Sequence, residues 1–146
     1  MEILKKSIVI FVLSFSLFLL TGCVEYNPDY LKTEEGKHLP VEHCIRGTEG
    51  ARLYGKLAQF EGKFLTFEKG AFGSIEMGHY LKDKKYDQIT LVGLVSYICV
   101  LSNAVICKAA LPNAHIIVEK DLTSAYDKHA QEIGFETLRN IHVEIK

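Results

Sequence analysis

Cys99 lies where a buried strand is predicted to turn into a helix. Its segment, residues 89–104, begins as an apolar run, reaches a turn that contains a serine, and continues with residues that favour a helix. A thiol there lies at the carboxyl end of a strand, where open α/β sheets bind their ligands. It also lies near the positive end of a helix dipole, which favours the thiolate, the nucleophilic form of cysteine. The segment therefore predicts both an α/β fold and a reactive cysteine.

Two further side chains could act together with Cys99. Lys69 follows a strand predicted over residues 63–68 and precedes a glycine-rich turn, so it should reach the same carboxyl edge of the sheet. A lysine there could favour the thiolate or transfer a proton. His43 lies in a predicted loop, and one histidine is too few for a zinc site, which needs three or four ligands. Taken alone, Lys69 and His43 are each more typical of polar surface residues.

Short strands alternate with helices in the second half of the chain. Strands are predicted over residues 63–68, 89–95, 115–119 and 141–145, and helices over about 74–81, 99–111 and 126–139, with Ser74 and Ser124 as N-caps. The continuous apolar run 89–95 is typical of a strand buried on both faces, as in parallel sheets. The order βαβαβαβ predicts a three-layer, Rossmann-like α/β fold with a mainly parallel sheet. Residues 24–62 are predicted to form loops.

The first 23 residues resemble a bacterial lipoprotein signal. Lys5 and Lys6 precede an apolar run over residues 8–20, which is the pattern of a secretory signal. The run ends in Leu-Thr-Gly-Cys at 20–23, which resembles a lipobox whose cysteine, Cys23, receives lipid. On this interpretation residues 1–22 are removed, residues 24–146 form the domain, and lipid anchors it outside the cell on the bacterial membrane. Two alternatives stay open: the run is an uncleaved signal anchor, or it is an apolar first strand. If the leader is not a signal, residues 8–20 pack inside the domain and the protein is cytoplasmic.

Charge and cysteine content narrow the range of functions. The 146 residues carry a formal net charge of −1, which predicts a single domain that does not bind nucleic acid. Without Cys23, three cysteines remain, and an odd number leaves at least one reduced thiol outside the cytoplasm. Cys99 and Cys107 are separated by about 12 Å along one predicted helix, which is too far for a disulfide bond.

Three segments together resemble the isochorismatase-like cysteine hydrolases, and among them the nicotinamidases. Residues 30–50 resemble the metal-loop segment of that family, residues 68–74 its catalytic-lysine segment, and residues 92–100 its nucleophile segment. The three motifs follow one another in the family's order and spacing. The resemblance extends from about Asn27 to Ile145 and implies common descent.

The resemblance implies an Asp-Lys-Cys triad in which Cys99 is the nucleophile and Lys69 is the lysine. The family usually has a cis peptide before the nucleophile, here at Leu94–Val95, and the backbone amides of Val95 and Cys99 would form the oxyanion hole. The implied reaction is hydrolysis of a small amide such as nicotinamide through a Cys99 thioester, with release of ammonia and then of the acid. His43 would be one ligand of a divalent metal such as zinc, which binds the pyridine nitrogen. Relatives commonly self-associate, so a homo-oligomer is compatible with the resemblance, but the sequence does not give the oligomeric state.

The sequence departs from the family pattern at its N-terminal end. No aspartate ends an apolar strand before Cys99, and the signal-like segment stands where the family has its first, central strand. Val24 and Tyr26 fall at the positions of the other two metal ligands and replace neither. We therefore expect a domain that is truncated at its N-terminus and lacks the triad aspartate. Glu25 or Asp29 could supply a substitute base.

These residues are compatible with three functions. The first is a nicotinamidase-like hydrolase with an incomplete triad. The second is a catalytically inactive, membrane-anchored relative that binds small amides or pyridines. The third is a remnant of a hydrolase that folds poorly, because the loss of a central strand leaves sheet edges unpaired. The sequence does not decide among them.

Overall fold

The computed structural model describes residues 7–13, 20–23, 29–52, 58–59, 61–62 and 65–146. Its strands are β1 (Ser7–Leu13), β2 (Leu20–Cys23), β3 (Glu68–Lys69), β4 (Gln88–Leu94), β5 (His115–Ser124) and β6 (Glu144–Ile145). Its α-helices are α1 (Glu34–His38), α2 (Ile75–Lys82), α3 (Leu101–Ala110) and α4 (Lys128–Asn140). The strands form one sheet in the order β3-β2-β1-β4-β5-β6, and all neighbours run parallel. This confirms the predicted α/β fold with a parallel sheet.

The centre of the sheet differs from the prediction. β1 lies between β2 and β4 and pairs with both, so that Ile10 lies opposite Leu91 and Phe11 opposite Leu20. The N-terminal apolar segment therefore supplies a central strand. The expectation that the sheet lacks one is wrong, whereas the alternative in which the leader forms an apolar first strand of the domain agrees with this sheet. The reason is physical: a run of Ile, Val and Leu suits both the apolar part of a signal and a strand buried on both faces, and its periodicity does not separate them.

β2 ends at Cys23, the cysteine of the predicted lipobox. Its partners are β1 on one side and β3 on the other, where Cys23 lies opposite Lys69. Cleavage before Cys23 would remove β1 and three of the four residues of β2. A chain that is cleaved before Cys23 therefore cannot form this sheet. The lipid anchor at Cys23 stays a prediction. No helix in the described part of the chain has the length and apolar character needed to cross a membrane.

β4 is buried on both of its faces, as its continuous apolar sequence predicts. Ile89 and Leu91 face the main core, where side chains of α2, α3 and α4 cover them. Thr90 and Val92 point to the opposite face, because side chains alternate along a strand, and they are buried as well. Each fully buried Leu, Ile or Phe side chain contributes about 1.5–3 kcal/mol, so this packing fixes the helices against the sheet.

The helix boundaries follow from local capping. Ser74 begins α2 as predicted, since its hydroxyl accepts a hydrogen bond from the backbone N–H of Met77. α4 does not begin at Ser124, because β5 continues to that residue; Asp127 is its cap and accepts from the N–H of Ala130. Two strands are shorter than predicted, since β3 and β6 have two residues each.

The described part of the predicted loop region contains one short α-helix. α1 follows a 3-10 turn over Tyr30–Lys32, and Thr33 caps it by accepting from the N–H of Gly36. Gly36 is packed so closely that a Cβ atom there would lie 2.1 Å from the carbonyl oxygen of Tyr30. The sequence therefore fixes α1 against the preceding turn.

Candidate active site

The sheet brings Lys69 and Cys99 to the same edge. Lys69 ends β3 and Cys99 follows β4, and the carboxyl ends of parallel strands lie on one side of a sheet. β1 is flanked by β2 and β4, so the order of the strands reverses at the boundary between β1 and β4. Open α/β sheets bind their ligands outside the strand ends at such a switch point. Cys99 thus lies where the topology favours a ligand site.

Lys69 and Cys99 are in contact, although they lie 30 residues apart in the sequence. The distance from Lys69 Nζ to Cys99 Sγ is 3.8 Å, and the two residues are 5% and 2% exposed. The ammonium also donates a hydrogen bond of 2.8 Å to the carbonyl oxygen of Ala71. An ammonium beside a thiol favours the thiolate, and it does so more strongly where water is excluded. The structure therefore joins the two residues that the sequence predicts as partners.

Cys99 lies in a π-helical turn over Ser96–Val100, not at the first residue of an α-helix as predicted. The preceding Leu94–Val95 peptide bond is cis, at the position that the family resemblance implies. The carbonyl oxygen of Val95 accepts hydrogen bonds from the backbone amides of Ile98 and Val100, at 3.0 and 3.1 Å. This wide turn, a form that is frequent at functional sites, directs Cys99 toward the strand ends.

Ser96 holds the start of this turn through buried hydrogen bonds. Its hydroxyl donates to the carbonyl oxygen of Ser124 at 3.0 Å and accepts from Nε2 of Gln131 at 2.8 Å. The turn is thereby tied to the end of β5 and to α4. The sequence analysis missed Ser96 and Gln131. The available signal was a polar residue at position 96 within an apolar run, because a buried hydroxyl requires a partner.

Asn103 joins the π-helical turn over Ser96–Val100, here called the cysteine turn, to the loop that follows Lys69. Its Nδ2 donates to the carbonyl oxygens of Cys99 and Phe72, at 2.8 and 2.9 Å. Its Oδ1 accepts from the backbone N–H of Ser74 at 3.0 Å, and the side chain is fully buried. One amide thus fixes the relative positions of the two segments that carry the cysteine and the lysine. The sequence analysis missed this residue too.

Cys99 lines a cavity of about 550 Å³, a size typical of small-molecule sites. Most of the lining residues are apolar or aromatic: Leu39, Phe72, Leu94, Val95, Ile98, Ala125 and Tyr126. The remaining ones are Glu35, His43, Cys99 and Ser124. A second cavity of about 720 Å³ shares five of these residues and adjoins the first. The thiol therefore faces a largely apolar space with few polar groups.

Glu35 and His43 are the ionisable pair of this cavity. His43 Nε2 lies 3.5 Å from Glu35 Oε1, and the two side chains are 9% and 14% exposed, respectively. The sequence analysis did not single out Glu35, because Glu34 and Glu35 are equivalent in the sequence. The direction of α1 separates them: the side chain of Glu34 is 78% exposed and pairs with Lys37.

The substitute bases suggested by the sequence do not line this cavity among the described residues. The carboxylate of Asp29 is 58% exposed and lies 3.0 Å from Lys32 Nζ. Glu25 lies outside the described residues. Glu35 is the carboxylate that shares the cavity with Cys99.

The family resemblance implies a divalent metal beside His43, and the described residues do not complete such a site. A zinc site has four protein ligands, or three protein ligands and a water molecule. Glu35 and His43 offer two, and no group of three His, Cys, Asp or Glu side chains suited to a metal exists within the described ranges. Positions 24 and 26 lie outside those ranges. No chemical step can therefore be derived through a metal here.

The other cysteines differ from Cys99. Cys44, Cys99 and Cys107 form no disulfide within the described part of the chain. Burial raises the pKa of the Cys107 thiol to about 12, so this residue is a protonated core side chain at neutral pH. Cys44 is buried next to His43 and adopts a left-handed backbone conformation, with φ of 51°.

The isochorismatase-domain family model matches residues 10–145. The chain belongs to the isochorismatase family. The match begins within β1, so the family pattern includes the central strand as well as the segments of Lys69 and Cys99. No curated protein is similar enough in sequence to count as a match.

Solved structures confirm the isochorismatase-family fold. The nicotinamidase/pyrazinamidase of Bacillus subtilis is 17% identical, with a TM-score of 0.78 over 97% of this chain and 99% of that chain. The pyrazinamidase of Pyrococcus horikoshii, solved in complex with zinc, is 11% identical, with a TM-score of 0.76 over 97% and 98%. An L. infantum protein in complex with nicotinate is 14% identical, with a TM-score of 0.74 over 97% and 92%. At these low sequence identities, the similarity to the solved structures shows a shared fold and nothing more.

Proposed function

We propose that this isochorismatase-family protein hydrolyses a small, largely apolar amide through a thioester at Cys99. The observation that carries the proposal is the contact between Lys69 Nζ and Cys99 Sγ at the wall of the apolar cavity. Burial of the ammonium does not require a thiol beside it, whereas a nucleophilic thiolate is stabilised by a nearby cation. The nicotinamidases of the same fold and the protein solved with nicotinate support a small amide as the substrate class.

The reaction needs no proton carrier beyond Lys69. The Cys99 thiolate attacks the amide carbon, and the backbone amides of Val95 and Cys99 stabilise the oxyanion. The carbon–nitrogen bond then breaks, the Lys69 ammonium gives a proton to the leaving nitrogen, and ammonia departs. Water attacks the thioester and gives a proton to the neutral Lys69 amine, the carbon–sulfur bond breaks, and the carboxylic acid leaves. The thiolate and the ammonium are thereby restored.

Release of ammonia from nicotinamide and benzamide by the purified full chain tests this proposal. We expect Cys99→Ala to abolish the release, because the nucleophile is removed. Cys107→Ala is the matched control, since Cys107 is a buried cysteine of the core outside the cavity lining, and it should retain activity. Absence of Cys99-dependent release from these and related aryl amides contradicts the proposal.

A binding protein without turnover is the second candidate. It is favoured by one observation: the carboxylate that lines the cavity, Glu35, comes from α1 and not from the end of a central strand, where the family resemblance requires the triad aspartate. Saturable binding of benzamide to the wild-type chain without ammonia release would support this candidate over the hydrolase.

We propose further that the N-terminal segment is retained in the folded protein. Support comes from the positions of β1 and β2, because cleavage before Cys23 would remove β1 and most of β2 and leave β3 and β4 without these partners in the sheet. The mass of the mature protein from a bacterial host tests this. An intact N-terminus is expected, and recovery of this intact chain in the soluble fraction of the host would support a cytoplasmic protein over one held by an uncleaved signal anchor. A chain that begins at a lipid-modified Cys23 would establish the membrane-anchored lipoprotein instead.

A further inference from the structure

The cavity that Cys99 lines continues into a second cavity. The first has a volume of about 550 Å³ and the second about 720 Å³. The residues that line both, and along which the two cavities adjoin, are Glu35, Leu39, Phe72, Ile98 and Tyr126. Cavities of about 300–1,000 Å³ are typical of drug-sized ligands, so a single-ring amide at Cys99 would leave the second cavity empty.

The second cavity lies between α1 and the loop that follows Lys69. Its lining residues from α1 and its N-cap are Thr33, Glu34, Glu35 and His38, and those from the loop are Gly70, Ala71 and Phe72. The same loop belongs to the reacting centre, because the ammonium of Lys69 donates to the carbonyl oxygen of Ala71 and contacts Cys99 Sγ. The second cavity is therefore an extension of the candidate active site.

The polar groups of the second cavity have partners within α1 and the turn before it. The hydroxyl of Thr33 both donates and accepts a hydrogen bond there. His38 Nδ1 lies 2.8 Å from the carbonyl oxygen of Glu34, and the carboxylate of Glu34 pairs with Lys37. A ligand that enters this cavity therefore gains more from apolar contact than from a charge of its own.

Exposed apolar side chains line both cavities. They are Leu39, Phe72 and Tyr126, of which Tyr126 is 81% exposed. Its ring packs edge-on against Tyr97 of the cysteine turn, with ring centroids 5.8 Å apart and an angle of 72°. Apolar side chains grouped around a cavity mark a ligand groove, since a ligand that covers them removes apolar surface from water. An apolar ligand that reaches from Cys99 into the second cavity would cover all three.

We infer that the substrate is a primary amide with a long apolar acyl group. Its carbonyl lies at Cys99, and its distal part passes Phe72 and Tyr126 into the second cavity. The inference rests on the proposed function, because it takes Cys99 as the nucleophile. The extension belongs to the acyl side, since the proposed reaction releases ammonia from the other side. The second cavity then determines specificity for the length of the substrate.

A series of phenyl-substituted amides of increasing length tests the inference. The members are phenylacetamide, 4-phenylbutanamide and 6-phenylhexanamide. Dissociation constants are measured by calorimetry on the full chain with Cys99→Ala, so that the amide stays intact. We expect the affinity to rise about twofold or more for each added methylene, because each one is buried on binding. The longest amide should bind about tenfold or more tightly than the shortest.

A glycine variant in the same background locates the effect. Gly70 lines the second cavity and not the first, and a Cβ atom there would meet no atom within 4 Å beyond its chain neighbours. Gly70→Leu should reduce the affinity for 6-phenylhexanamide about fivefold or more, because its side chain takes up space in this cavity. Binding of phenylacetamide should stay unchanged.

Gly50→Leu is the matched control. Gly50 lines neither cavity, and a Cβ atom there would make only an ordinary contact of 3.8 Å with Thr48 Oγ1. The affinities for the longest and the shortest amide should both stay unchanged. Thermal unfolding checks that both variants fold, and the length series on the Cys99→Ala chain decides even where Gly70→Leu does not.

Several outcomes overturn the inference. They are an affinity that does not rise with length, no binding by any member, a rise that Gly70→Leu leaves intact, or the same loss in both leucine variants. Hydrolysis is followed separately in the chain with Cys99 intact. Release of ammonia without a preference for length contradicts the inference and leaves the proposed function supported. A preference for length without Cys99-dependent release contradicts the proposed function and leaves the long ligand supported.

Discussion

Asn103 Nδ2 donates a hydrogen bond of 2.8 Å to the carbonyl oxygen of Cys99. The same nitrogen donates to the carbonyl oxygen of Phe72, and the side-chain oxygen accepts from the N–H of Ser74. Asn103 therefore connects the turn that carries the nucleophile to the segment that follows Lys69. It acts as a positioning residue, since it does not line the cavity.

Replacement of Asn103 by aspartate should destabilise the protein and displace Cys99. Aspartate keeps an oxygen that accepts from the backbone N–H of Ser74. Its second oxygen replaces Nδ2 and faces the carbonyl oxygens of Cys99 and Phe72, to which it cannot donate. We expect the free energy of unfolding in urea to fall by about 3 kcal/mol or more, because buried acceptors lose their partner. Asn113→Asp, at an exposed position after α3, is the matched control and should change stability by less than about 0.5 kcal/mol. Equal effects would contradict the bridging role.

Lys69 should control the reactivity of Cys99. Lys69→Met removes the ammonium 3.8 Å from the sulfur and keeps an unbranched side chain of similar length. We expect alkylation of Cys99 by iodoacetamide at pH 7, followed by mass spectrometry of its peptide, to slow by about tenfold or more, because the thiolate loses its counter-charge.

A second lysine separates this effect from a change in total charge. Lys108→Met removes the charge of a half-buried lysine that donates to the carbonyl oxygen of Pro112. It should leave the alkylation rate of Cys99 unchanged. The same rate in wild type and Lys69→Met would show that the contact does not activate the thiol.

Cys107 should make stability fall with pH in the alkaline range. Burial raises the pKa of its thiol from 9.0 to about 12, so the native state keeps the proton over a range in which the unfolded chain loses it. This contribution to stability is fully present below pH 9 and is lost as the pH rises from about 9 to 12. The slope is at most about 1.4 kcal/mol per pH unit.

The comparison of wild type with Cys107→Ala isolates this contribution, since other groups also titrate in the same range. The variant leaves a small cavity that lowers stability at every pH, but it removes one titrating thiol. We therefore expect the difference in unfolding free energy between the two proteins to shrink between pH 9 and pH 11. If the difference in unfolding free energy stayed constant over this pH range, the thiol of Cys107 would not be desolvated, which contradicts its burial in the structure.

Gly134 should be intolerant of a side chain because α4 crosses the cysteine turn there. A Cβ atom at Gly134 would lie 2.7 Å from Cβ and 3.0 Å from Cα of Tyr97, which belongs to the turn. Since the backbone of the turn must move, we expect Gly134→Ala to lower both the unfolding free energy and the alkylation rate of Cys99, although alanine favours helix by about 1 kcal/mol.

Gly78 provides the control for this variant. It is also a helical glycine, and a Cβ atom there would meet a methyl group of Ile106 at 2.7 Å, away from the cysteine turn. Gly78→Ala can lower stability but should leave the alkylation rate of Cys99 as in wild type. A loss of reactivity in both variants would indicate general destabilisation instead of a displaced turn.

Local patterns predicted much of the fold correctly. The apolar run 89–95 identified β4, and Ser74 identified the start of α2, because burial on both faces and N-capping each depend on a few neighbouring residues. The same patterns failed at β1. An apolar run near a charged N-terminus has the composition of a signal and of a central strand, and pairing partners as distant as β4 decide between them.

The sequence by itself determined the family, the parallel sheet and the chemical identities of Cys99 and Lys69, since residue types and the order of motifs are carried along the chain. Only the tertiary structure decided which groups meet. It brought Lys69 Nζ, expected only at the same edge of the sheet, into contact with Cys99 Sγ, and it placed Glu35 and not Glu34 in the cavity that Cys99 lines. It also gave Asn103 three partners from two segments. The reason is that such contacts join residues far apart in the chain, whose distance is set by the packing of strands and helices and by no local pattern.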